Sequence, residues 1–399
     1  VDRVGVQLNR RHLFTAASLA AAAAVTGCGS DEKPAPPAAP SPSRPTPAPP
    51  ANAPTTIDEA AVRRKVASLL VVGFRGQSVG PDDWIVKAIR EQNIGGVILF
   101  DTDQLTGGPR NISSPAQVTK LVASLRAAAG GRPLIVSIDQ EGGRIARLNP
   151  SNGFPASQSQ AEVGAINQAA HTRSWAQGMV TSMKSVGVTM NYAPVVDLNV
   201  NPANPAIGKL GRSFSADPSV VVANATEEIG VHRAAHIQTS IKHFPGFGSA
   251  AGNTDFDVVD VTDSWHRSEL VPFQRLIAAG TADSVLVAHL LNRQLDPDKP
   301  MSLSRKVVTD LLRGQLGWQG PVVSDDMQAA GITARFGAAE AFTLAVQAGV
   351  DLLVYANQQV YDAKVVEETL ATAVARVRSG DLTMAQIDAA VSQVDKLRP

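Results

Sequence analysis

The chain contains a single cysteine, Cys28, so no intramolecular disulfide can form in any compartment. Neither sign of charge is in excess. Lys+Arg and Asp+Glu both number 36, and this balance gives no footprint of a nucleic-acid partner. A long apolar run is missing too: the stretch from Leu13 to Val25 is shorter than the roughly 20 residues of a transmembrane helix. What remains is the profile of a globular enzyme, 399 residues of which 44% are hydrophobic.

Arg10 and Arg11 precede that alanine-rich stretch, which ends in Val25-Thr26-Gly27-Cys28. A basic region, a short apolar region and small residues before a break describe a signal peptide. Small residues directly before the lone cysteine resemble a bacterial lipobox, so residues 1–28 read as a lipoprotein signal peptide with Cys28 as the lipidated residue. An ordinary cleaved leader is the plainer alternative, and the arginine pair also looks like a twin-arginine signal. Residues 29–56 form a linker, and from Pro34 to Pro54 they are mostly Pro, Ala and Ser. Such a segment favours extended, semi-rigid conformations rising about 3.1 Å per residue. The expected organisation is an anchor, a spacer and one globular domain over 57–399. The protein is expected to be exported and held at the extracytoplasmic face of the cell membrane by its lipid alone.

From residue 57 onward, eight short β-rich runs recur between helical stretches. They are Leu70–Phe74, Gly96–Phe100, Leu134–Asp139, Thr189–Asp197, Ser240–Phe244, Val285–His289, Pro321–Asp325 and Asp351–Tyr355. Most are continuously apolar, as parallel strands covered on both faces require. Ser114-Pro115 and Asp217-Pro218 each pair a capping side chain with proline at the first helical position. Gly280 and Gly349 sit where helices should end. Eight alternations predict a single (β/α)8 barrel rather than a doubly wound open sheet.

Five of these runs end in polar groups: Asp139, Asp197, Lys242-His243, His289 and Asp325. A buried strand gains nothing from a terminal charge, which costs free energy unless paired. Five polar ends on one rim therefore predict a polar, substrate-sized pocket. A metal-dependent hydrolase would want closely spaced histidines, but the first run has none and the seven histidines are scattered. A Schiff-base role for Lys242 would need a neutral amine. A carbohydrate site fits better, because carboxylates, arginines and lysine grip hydroxyls and a carboxylate can attack an anomeric carbon. No metal or cofactor is expected.

Five motifs then fall in order: Asp139-Gln140-Glu141-Gly142-Gly143-Arg144, Tyr192-Ala193-Pro194-Val195-Val196-Asp197, Gly211-Arg212-Ser213-Phe214, Lys242-His243-Phe244-Pro245-Gly246 and Ser324-Asp325-Asp326-Met327. Together they resemble glycoside hydrolase family 3, in its single-domain bacterial β-N-acetylglucosaminidase branch. The resemblance implies that Asp325 is the nucleophile forming a covalent glycosyl-enzyme. It further implies that Asp139 and Arg147 hold sugar hydroxyls, and that Arg212, Lys242 and His243 orient the reacting ring. Asp326 reads more plainly, as a cap on the following helix or the partner of a basic neighbour.

The chain departs from this pattern in one place. The branch usually continues Lys-His-Phe-Pro-Gly with a second histidine and then a loop carrying an Asp-x-His dyad. Here Phe247 takes the first position and Asn253-Thr254-Asp255 the second, with no histidine between His243 and His266. Asp255 is the candidate acid/base, against the reading of a solvated loop aspartate, with Asp257 in reserve. The implied activity is a retaining exo-hydrolase releasing β-linked N-acetylglucosamine from cell-wall fragments. A sugar-binding lipoprotein that lost its acid, and a glycoside phosphorylase, are the alternatives.

Overall fold

The computed structural model describes residues 57–399. The leader, Cys28 and the proline-rich linker lie outside the described residues. Within them the eight runs form β1 (Leu70–Gly73), β2 (Gly96–Ile98), β3 (Ile135–Ile138), β4 (Met190–Asn191), β5 (Ile241–Phe244), β6 (Val285–Val287), β7 (Val322–Asp326) and β8 (Leu352–Tyr355). Apart from β4 and β5, each pairs in parallel with its sequence neighbours, and β8 returns to β1 through Leu70 and Leu353. The ring is completed at the fifth run. A short strand just before that run, Gln238–Thr239, pairs with β4, while β5 itself pairs with β6. A parallel bridge between Val195 and Lys242 carries the same contact upward. The result is a (β/α)8-like barrel with helices on its outer face. Except for β7, which is shifted by one residue, the strands are shorter than the sequence runs, most of all the fourth, where regular pairing stops at Asn191 and resumes as the bridge at Val195.

Why the runs read as continuously apolar is visible in the packing. Val71, Ile98, Ile135, Leu286, Val323 and Leu352 point into the barrel and form one buried cluster. Their neighbours Leu70, Val72, Val97, Val136, Val285 and Val322 face the helices in a second cluster. Alternate side chains thus bury on opposite sides, and neither set has a solvated face. The inner cluster also takes in Ala390, Val394 and Leu397 from the C-terminal helix and turn. With one end of the barrel filled by hydrocarbon, polar groups collect at the other, where the strands finish.

The helix ends follow the sequence. Ser114 caps Pro115–Ala128 by accepting from Gln117 N, and Asp217 caps Pro218–Ala234 by accepting from Ser219 N. Gly349 ends Ala338–Ala348 at φ 97°, a left-handed conformation that glycine adopts without steric cost.

Candidate active site

A cavity of about 290 Å³ opens at the carboxyl ends of the strands, near the lower end of the ~300–1,000 Å³ typical of small-molecule sites. Asp139, Arg147, Arg212, Lys242, His243, Asp255 and Asp325 all line it. The structure therefore brings these seven candidate side chains together.

Asp197 and His289 depart from the expectation. Both are buried behind the cavity rather than facing it. The Asp197 carboxylate accepts from the backbone N–H of His243 and Phe247 and lies 2.6 Å from His243 Nδ1. With Nδ1 donating there, His243 Nε2 is left to accept from Arg212 Nη2 at 3.3 Å. His289 spans Ser302 Oγ at 2.7 Å and the Asp326 carbonyl at 2.8 Å. These two strand ends position other groups.

The floor of the site is a charge cluster around Glu141, a buried residue that the sequence reading gave no role. Glu141 accepts two hydrogen bonds of 2.7 Å from Arg212 and lies 2.6 Å from Lys242 Nζ. Lys242 also donates to Asp139 at 2.7 Å. Burial works against the Glu141 charge, but Arg212 and then Lys242 outweigh it and hold the carboxyl well below the usual range. The signal was present in Asp139-Gln140-Glu141, where a short hairpin, Gln140–Gly142 with Ile145–Ala146, turns the chain back over the strand end. Arg147 follows this hairpin. It is held loosely, 3.9 Å from both Asp101 and Asp139, over the Phe100 ring. Its fork is open to a ligand, whereas that of Arg212 is largely spent on Glu141 and the Ala206 carbonyl.

Asp325 and Asp255 share this cavity in opposite electrostatic states. Burial would raise Asp325, but His289, then His243, the Asp326 N–H and Lys242 lower it below the ordinary aspartate value. For Asp255, burial and then the negative charge of Asp325 raise the carboxyl to about 6. Its loop is anchored rather than free, because the carbonyls of Thr254 and Asp255 accept from Gly331 and Ala330 at 2.8 and 3.3 Å. A Cβ at Gly331 would come 3.1 Å from the Cβ atoms of both Thr254 and His289, so the approach depends on glycine. Asp257, the reserve candidate, is exposed, accepts from Val258 N and does not line the cavity. Phe247 packs its ring 5.5 Å from His243.

Asp326 departs from its expectation. It neither caps the following helix, Ala330–Thr333, nor pairs with a basic neighbour among the described residues, but accepts from Gln328 N in the turn before that helix and from Ala356 N. Its Oδ2 has no partner, and burial above all pushes its carboxyl up to about 7. Among the described residues no cluster of His, Cys, Asp or Glu is placed to hold a metal ion.

A (β/α)8-like barrel with a cation- and carboxylate-lined pocket at its strand ends has the architecture of a barrel enzyme for a polar ligand. Residues 61–397 match the Glycosyl hydrolase family 3 N terminal domain. The chain belongs to glycosyl hydrolase family 3. It is 31% identical over 332 residues to Beta-hexosaminidase A of Pseudoalteromonas piscicida, covering 78% of this chain and 54% of that protein. The family 3 beta-N-acetylglucosaminidase from Paenibacillus sp. str. FPU-7 superposes with a TM-score of 0.76 at 33% identity, covering 84% of this chain and 61% of that one. Beta-N-acetylhexosaminidase from Beutenbergia cavernae DSM 12333 superposes at 0.73 with 31% identity, covering 84% and 97%. The chain thus spans little more than half of the first protein and nearly all of the third.

Proposed function

We propose that this protein is a retaining exo-glycosidase releasing β-linked N-acetylglucosamine from cell-wall-derived saccharides, with Asp325 as nucleophile and Asp255 as acid/base. The observation that carries the reading is the pair itself. Two carboxyl groups share one cavity, one kept ionised by neighbouring cations and histidines and the other raised to about 6. Retaining glycosidases need this division of labour. The N-acetylhexosamine is supported by the activities named for the similar proteins.

In the first step the Asp325 carboxylate attacks the anomeric carbon as the bond to the leaving oxygen breaks, and the Asp255 proton passes to that oxygen. In the second, the Asp255 carboxylate takes a proton from water, whose oxygen displaces Asp325 and restores both groups. Lys242 has two of its three N–H bonds directed to Asp139 and Glu141, leaving one for a sugar hydroxyl. Arg147 and the exposed edge of Asp139 bind further hydroxyls. Arg212 acts through its charge and by holding His243. The lipobox reading of Cys28 would place this activity on the outer face of a membrane, where cell-wall fragments are met. The test is product analysis with an activated N-acetylglucosaminide, with and without phosphate. Free N-acetylglucosamine in both conditions supports hydrolysis, a sugar 1-phosphate replaces it with phosphorolysis, and no product leaves only a binding protein.

A further inference from the structure

Behind the pocket, a side chain holds a stretch of backbone as a neighbouring strand would. Gln140 lies between Asp139 and Glu141, and its N–H and C=O are both bound by the amide of Asn191 at the end of β4, each at 2.9 Å. The device is then repeated. The Gln140 amide binds the N–H and C=O of Leu148 at 2.9 and 3.0 Å, and Leu148 follows Arg147 directly. Asn191 and Gln140 are both buried, and neither lines the pocket. An amide suits this task because it accepts and donates without carrying charge, whereas a carboxylate could only accept.

The first amide has a further partner. Asn191 Nδ2 lies 3.1 Å from Nε2 of His232, a buried residue of the helix Pro218–Ala234. His232 Nδ1 lies 2.8 Å from the Glu228 carbonyl, which can only accept, so Nδ1 carries the proton. Burial pushes the imidazole down to about 4, so the ring is neutral at pH 7 and Nε2 is bare. One Nδ2 hydrogen of Asn191 therefore goes to the Gln140 carbonyl and the other to His232, while Oδ1 turns to the Gln140 N–H. A proton on Nε2 would set two donors face to face and break this arrangement.

What hangs from these bonds is the hairpin that carries Asp139, Glu141 and Arg147. Arg147 depends on them most. Its guanidinium stands 3.9 Å from both of its carboxylate neighbours, so the backbone rather than a close ion pair sets where it reaches. We propose that Asn191 and Gln140 are positioning residues of this hairpin, a relay of two amides from His232 to Leu148 that sets where Asp139 and Arg147 meet a ligand. The relay touches no substrate and acts only through the groups it holds. This inference rests on the proposed role of Asp139 and Arg147 in holding the sugar.

The test is a double-mutant cycle read with a nitrophenyl N-acetyl-β-glucosaminide. Gln140→Met keeps the length of the side chain and loses both bonds to Leu148. It should raise KM about tenfold, the scale of one charge-assisted hydrogen bond to the sugar. kcat should stay within about threefold, because Asp325 and Asp255 stand on other strands. In an Arg147→Ala background the same substitution should raise KM much less, since the group it positions is already gone. His232→Gln, which can place an acceptor where Nε2 stood, should stay near the wild type, and His232→Leu should behave like Gln140→Met. Imidazole nitrogen-15 spectra of the wild type at pH 7 should show His232 protonated at Nδ1 and bare at Nε2. An equal rise in KM with and without Arg147, or a loss confined to kcat, would make Gln140 a general support and overturn the relay. So would a proton on His232 Nε2. A wild type without turnover would overturn the glycosidase reading instead, and the nitrogen spectra would still decide the relay.

Discussion

Both oxygens of the buried Glu141 carboxylate accept from the Arg212 guanidinium, at 2.7 Å each, and this pair holds the floor of the pocket together. Lys242 joins it at 2.6 Å, so one anion compensates two cations, with Asp139 sharing the second. Removing one partner of a buried ion pair leaves an uncompensated charge. Glu141→Gln is expected to lose about 3–5 kcal/mol of folding stability by urea unfolding. A loss below about 1 kcal/mol would mean that Asp139 and solvent neutralise both cations without it.

Asp325→Asn should abolish turnover while leaving affinity for N-acetylglucosamine within a few-fold of the wild type. Loss of the covalent step removes an interaction made only in the transition state, whereas Lys242, Arg147 and Asp139 still meet the sugar. Turnover and binding by isothermal calorimetry check this. Near-normal activity would remove Asp325 from the mechanism.

The raised Asp255 carboxyl carries a pH signature. The group must hold a proton to assist departure, and that proton is lost as pH rises through about 6. For a disaccharide, kcat/KM should fall on the alkaline side of about 6 and, because Asp325 is lowered, hold on the acid side into the range where an ordinary aspartate would protonate. Asp255→Ala should erase the alkaline limb, cripple disaccharide cleavage and spare the first step on nitrophenyl glycosides, with azide restoring turnover. An alkaline limb that survives in Asp255→Ala belongs to another group.

Asp326 carries a stability signature. Its folded value of about 7 lies above the ordinary aspartate range, so the native state keeps a proton that the unfolded chain releases. The raised value favours folding at low pH, and that advantage is lost as pH rises through 7. Asp326→Asn keeps an acceptor for Gln328 N and Ala356 N without the charge. It should raise the thermal midpoint more at pH 8 than at pH 5, by the equivalent of about 1–3 kcal/mol. Equal shifts at both pH values would show that Asp326 titrates normally.

If Cys28 is lipidated, the protein should partition into detergent with membranes, and Cys28→Ala should release it or stall its processing. A Cys28→Ala protein retained like the wild type would make the lipobox an accident of composition.

The barrel was legible because it rests on a local rule. A parallel strand buried on both faces must be apolar at every position, so Leu70–Gly73 or Leu352–Tyr355 announces itself without knowledge of its partners. The same contrast exposed Asp139, Lys242 and Asp325, since a charge at the end of such a run stands out from its surroundings. Other features could not be read in this way. Asp197 and His289 end their strands as Asp139 and Asp325 do, yet they sit behind the pocket. Glu141 looked like one more residue of a motif until Arg212 and Lys242 were seen around it. Asp255 could have been a solvated loop residue, and its proton depends on burial and on Asp325 from another strand. Composition along the chain determines which segments must be buried. Which charges end within a few ångströms of one another, and how much water remains between them, is decided only when distant segments close on one rim, because electrostatic energies follow distance and solvation rather than order in the chain.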